Sequence, residues 1–163
     1  MSEQVVGVVP TLKKGKSFGR WDTYTMVVTD TRSIFALMTS AMIQQIGKEA
    51  VQRAKEEGKG FFARWGEQLK AHIGFSQRYM DMSPEEALNE NKDNFFFNND
   101  DIRTIKVRRK TKSRGGEDDA DYIVTEFIVE ARGKKFQYEM SSWNGEVYEM
   151  LKSVFGSRVD IGR

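Results

Sequence analysis

Four cations, Lys13, Lys14, Lys16 and Arg20, crowd into a short stretch that also holds Gly15 and Gly19. Flexible backbone lets their ammonium and guanidinium groups converge on one anion, to which each supplies charge-assisted donors. The plainer reading is a solvated loop whose lysines confer solubility. A second basic run comprises Lys106, Arg108, Arg109, Lys110, Lys112 and Arg114. Strand alternation puts Lys106, Arg108, Lys110 and Lys112 on one face, opposite Ile105 and Val107. Such a row can track a phosphate backbone with salt-sensitive affinity. Carboxylates of Glu126 and Glu130 on a paired strand would instead neutralise it across the ladder. The third grouping is aromatic: Gly58-Lys59-Gly60 leads into Phe61, Phe62 and Trp65. It reads as an interfacial membrane anchor, as a partner-binding surface, or as a stripe buried on a neighbouring helix or a second subunit.

Other chemistries lack their residues. There is no Cys and one His, His72, so thiol nucleophiles, disulfides and His-based metal triads are excluded. Asp100-Asp101 and Glu117-Asp118-Asp119 do not follow the alternating oxygen-ligand spacing of a calcium loop. Gly15-Lys16-Ser17 lacks the upstream glycine of a P-loop, and no nucleophile elbow or dinucleotide fingerprint occurs. The expectation is a non-catalytic chain without cofactor or metal. With 163 residues and 39% hydrophobic content, the composition is that of one ordinary globular domain. A net charge of +2 does not by itself announce nucleic acid. No apolar run is long enough to span a membrane, and Met1-Ser2-Glu3-Gln4 lacks a basic, apolar leader start. A cytoplasmic location is expected.

The elements that must position these groups follow from periodicity. Strands are predicted over Gln4–Leu12, bent or confined to an edge by Pro10, then over Thr23–Thr29 and Ser33–Met38, joined by the polar turn Thr29-Asp30-Thr31-Arg32. Apolar positions at helical spacing follow from Thr39 to Glu57 and again through Phe62, Trp65, Leu69 and Ile73. Ser83-Pro84-Glu85-Glu86 signals another helix start. Strands resume at Phe95-Phe96-Phe97, Ile102–Thr111, Tyr122–Ala131 and Lys135–Met140, with a turn at Arg132-Gly133-Lys134. A closing helix carries Trp143, Val147, Met150, Leu151, Val154 and Phe155, capped by Ser142 or Asn144 and ended by Gly156.

Seven antiparallel strands with a C-terminal amphipathic helix is the plan of a pleckstrin-homology-like barrel. Tyr24 to Phe35, with its Thr-Asp-x-Arg turn and following Ile-Phe, resembles the corresponding hairpin of GRAM and prokaryotic PH-like domains. Asn94 to Val107 is similar to a later segment of the same group. The resemblance implies a mainly β, α+β fold: a barrel from 1–38 and 95–163, closed by the C-terminal helix, with a helical insertion at 39–94. It also implies a binding or scaffolding module for a protein partner or a homo-oligomer. Attachment to anionic lipid through Lys13, Lys14, Lys16 and Arg20, with Phe61, Phe62 and Trp65 inserting, ranks second. Nucleic-acid binding along Lys106–Lys112 ranks third.

Overall fold

The computed structural model describes residues 3–15, 20–42, 44, 45, 48, 52, 76–112, 122–140 and 143–162. Its frame is one eight-stranded sheet. Strands β1 (Val5–Gly15), β2 (Trp21–Thr29) and β3 (Arg32–Met38) form an antiparallel meander. The short β4 (Phe95–Asn98) pairs with β3 and leads through a 3-10 turn, Asn99–Asp101, into β5 (Ile102–Lys112). A second meander adds β6 (Tyr122–Ala131) and β7 (Lys134–Met140). Arg132 and Gly133 both have positive φ, 52° and 75°, the geometry that a two-residue hairpin turn demands.

Pro10 marks the place where β1 bends. The β1–β2 register shifts between Val9 and Leu12, and Thr11 sits there at φ 56°. Beyond this bulge β1 leaves its first register and reaches β7, pairing Leu12 with Met140 and Lys13 with Glu139. A bulge therefore lets a proline-bearing strand lie between two neighbours rather than at an edge.

Alternation decides what each face covers. Val9, Leu12, Tyr24, Met26, Val28, Phe35, Phe97, Ile105, Val107, Phe127, Val129 and Tyr138 share the main core. Helix α2 is preceded by that of residues 84–89, here α1 (Pro84–Asn89), and spans Gly145–Phe155. It seats Val147, Leu151 and Phe155 in the main core. Asn144 caps it, its Oδ1 accepting from Val147 N at 3.0 Å, and Gly156 at φ 58° ends it. The other face of β1–β3 is buried too. Val8, Val27, Ile34 and Ala36 are covered by Tyr79, from a 3-10 turn at Gln77–Met80, and by Ala87 of α1. Ser83 starts α1 as its composition demands, its Oγ accepting from Glu86 N at 3.2 Å.

Two expectations are corrected. The barrel is not closed: the strand order β4-β3-β2-β1-β7-β6-β5-β8 leaves β4 and β8 as edges. The physical reason is that β4 passes into β5 through a 3-10 turn rather than a ladder. There is also an eighth strand, β8 (Val159–Ile161), which pairs parallel to β5, so the sheet is mixed. Residues 40–42, 44, 45, 48 and 52 have helical backbone, but 76–94 is a 3-10 turn, the six-residue α1 and turns laid on the sheet. The predicted helix around Phe61, Phe62 and Trp65 lies outside the described residues.

Candidate functional site

The basic cluster near the first hairpin is built differently from a loop. Lys13 and Lys14 belong to β1, and alternation turns them to opposite faces of the sheet. Lys14 Nζ lies 5.4 Å from the ring centroid of Phe136, on the core side of β7. Lys13 Nζ lies 5.4 Å from the ring centroid of Trp21. Gly15 stands opposite Trp21 in the ladder, and Lys13 stands opposite Thr23 on one side and Glu139 on the other. The result is a cleft of about 500 Å³ lined by Lys13, Gly15, Arg20, Trp21, Gln137, Tyr138 and Glu139. Trp21 is 59% exposed there, an indole standing in solvent as one wall. Cations, a carboxylate, an amide and an aromatic face thus meet in one concave place. Of the four cations singled out from the sequence, Lys13 and Arg20 line the cleft and Lys14 does not. Lys16 lies outside the described residues. Trp21, Gln137 and Glu139 were not foreseen, because their approach depends on the β1–β7 pairing beyond the bulge.

The basic row on β5 is placed as alternation requires, with Ile105 and Val107 buried and Arg108 and Lys110 exposed. It is also broken by acids. Lys110 Nζ stands 3.5 Å from Oε1 of Glu126, a residue only 5% exposed whose Oε2 accepts from Gln137 Nε2 at 3.1 Å. Lys106 is the register partner of Asp160 on β8. Glu130 is taken up by Thr104 at 3.3 Å and by Arg103 at 3.9 Å. The backbone of Lys112 continues the ladder opposite Tyr122. The expected cross-strand neutralisation is therefore seen at Glu126, while Arg108 and Arg109 keep no carboxylate partner among the described residues. Phe61, Phe62, Trp65 and His72 lie outside the described residues.

A third polar assembly is structural. Arg32 Nε donates to Glu3 at 3.2 and 3.0 Å, its Nη2 donates to Glu85 at 2.5 Å, and its guanidinium lies 4.9 Å from the Phe96 ring centroid. Thr29 Oγ1 donates to Glu3 at 2.5 Å and accepts from Thr31 N and Arg32 N, which fixes the turn. Burial acts to raise the Glu3 carboxyl, but hydrogen bonds from Thr29, Arg32 and Thr31 and the Arg32 charge outweigh it and hold the group below its usual value. Below this turn, Asn99 donates from Nδ2 to Thr29 O at 2.8 Å and accepts at Oδ1 from Ser33 at 2.7 Å. Asp101 pairs with Arg132 at 3.2 Å, and no cluster of three or more acidic or His side chains that could hold a metal ion occurs among the described residues. No helix among them is long and apolar enough to cross a membrane.

Searches against protein-family models, curated proteins and solved structures find nothing that matches this chain.

Proposed function

We propose that the chain is a non-catalytic, PH-like binding or scaffolding module that takes a protein partner, or a second copy of itself, in the cleft beside Trp21. Cytoplasmic residence belongs to the same proposal. The observation that carries it is the exposed indole of Trp21, which shares one cleft with Lys13 and Arg20 and, across β1, with Gln137 and Glu139. Exposed aromatic walls with mixed charges suit a peptide surface, since Trp and Arg dominate the energetics of protein contacts. The seven antiparallel strands with an amphipathic C-terminal helix support the PH-like reading. In the test, a photo-crosslinking residue replaces Trp21 and the adducts formed in cells are identified, with Lys13→Ala plus Arg20→Ala as the control. Adducts on a defined protein that vanish in the control are expected. Adducts equally abundant in both overturn the reading.

Anionic lipid is the second reading, favoured by Lys13, Arg20 and Trp21 sharing one hairpin end. It ranks below because Glu139 stands opposite Lys13 and Lys14 faces away. Co-sedimentation with phosphatidylserine vesicles at low salt, lost in Trp21→Ala, would move the assignment to lipid.

A further inference from the structure

We propose that the edge of β5 over Arg109–Lys112 docks an extended acidic segment of a partner protein, added as a strand along the line that β8 begins. β5 is 11 residues long and is paired along its whole length with β6 on one side. On the other side, β8 pairs with Ile105, Lys106 and Val107, and Gly162 N donates to Val107 O at 2.9 Å. Among the described residues no strand covers this side beyond Val107. In a strand the N–H and C=O of one residue point the same way, and successive residues alternate. Because Val107 turns its carbonyl to the β8 side, the main-chain groups of Arg109 and Thr111 face the same open side. They form a short template for a further strand.

Charge selects the occupant. Arg108, Arg109 and Lys110 are all exposed around this edge. A second copy of β5 laid against it would set like charges opposite one another, so the edge rejects itself. The resident strand shows the favoured pattern, since β8 reads Val159-Asp160-Ile161 and puts Asp160 opposite Lys106. Gly162 already stands against the Arg108 side chain, so, continued in the same register beyond it, the alternation sets a partner's acidic residue beside Lys110, with Arg108 and Arg109 close by. Duplex nucleic acid fits less well, because Glu126 and Asp160 interrupt the row that its phosphates would follow. The site is separate from the Trp21 cleft, and the proposal does not rest on it.

The test uses the full chain and a synthetic peptide of about eight residues alternating Val and Glu, the length of an ordinary strand. The same peptide with Lys for Glu, and a DNA duplex, serve as comparisons. The acidic peptide should bind and slow hydrogen exchange at the Arg109 and Thr111 amides by about tenfold or more, while the Arg108 and Lys110 amides change little. Arg108→Glu with Lys110→Glu should weaken it by about tenfold. Thr111→Pro should abolish the added protection at Arg109, because it removes an edge donor while sparing the β6 ladder. No binding of the acidic peptide, equal binding of the Lys peptide, or binding without protection at Arg109 and Thr111 overturns the proposal. Tighter binding of the duplex than of the acidic peptide overturns it in favour of nucleic acid. The peptide comparison needs no variant, so a failure of either variant to fold leaves the test decisive.

Discussion

Arg32 ties together pieces of chain that are remote in sequence, Glu3 lying 29 positions before it and Glu85 lying 53 after it. The Arg32 side chain is 12% exposed and that of Glu3 21%, so their bond is a partly desolvated, charge-assisted one, whereas Glu85 reaches Arg32 from the surface. Because the folded Glu3 carboxyl lies below its unfolded value, near 4.5, the native state binds fewer protons there. Its stabilisation is complete above the unfolded value and is lost as pH falls through the lower folded one. Glu3→Gln should therefore cost about 1 kcal/mol at neutral pH, with the difference from the parent chain shrinking towards zero in strong acid, as read by denaturant unfolding across a pH series. Tyr138 makes the opposite demand. It is 1% exposed, stacked on Phe35 at 5.8 Å, and its hydroxyl has no hydrogen-bond partner among the described residues. Burial, with Tyr24 nearby, pushes the phenol well above its ordinary value. Tyr138→Phe removes an unsatisfied buried hydroxyl and should leave the melting temperature unchanged or raise it, by up to about 1 kcal/mol in stability. The turn chemistry of Thr29-Asp30-Thr31-Arg32 was legible because it is local. The partners of Arg32 were not, since no periodicity links residues so far apart.

Elements carry local signals when their ends are capped and lose them when packing alone makes them. The starts of α1 and α2 at Ser83 and Asn144, and the turn at Arg132-Gly133, could be read from residue types because side-chain caps and positive φ are properties of a few neighbours. β8 could not, since Val159-Asp160-Ile161 is too short to announce a strand and exists because β5 offers it an edge. The faces of Lys13 and Lys14 were hidden for a related reason: the bulge at Pro10-Thr11 shifts the register before them. Packing between α2 and β1 can be tested at Gly7. A Cβ there would lie 2.6 Å from Met150 Cγ, so the helix sits against bare backbone. Gly7→Ala should cost about 1–3 kcal/mol by overpacking, and Met150→Ala in the same chain should recover part of that loss. A double-mutant cycle with no coupling between the two positions would deny the contact.

At the scale of the whole molecule the sheet is open at both ends, and its edges are managed differently. β4 has four residues, and Asn94 caps the neighbouring strand by accepting from Leu37 N at 2.7 Å. β5 is long, and β8 shields only its middle. Arg158 anchors the chain just before β8, with Nη1 donating to Asn99 O and to Ile102 O, both at 2.8 Å. A variant ending at Arg158 keeps that anchor and the whole of α2 but uncovers the main chain of Ile105 and Val107. The loss of a three-residue ladder and of the half-buried Val159 should lower stability by about 1–2 kcal/mol. The uncovered edge then presents apolar-flanked backbone next to the cationic stretch, where charge no longer guards every position. The truncated chain should therefore associate with rising concentration while the parent chain under the same conditions shows less, as measured by sedimentation velocity. Ile105 and Val107 are both buried in the main core, so a polar residue at either would unsettle the fold, and the control is Thr104→Lys in the truncated chain, which sets a guarding charge beside the same backbone on the opposite face and should reverse the association. Truncation without any gain in association would mean that β8 stabilises the fold but does not guard the sheet.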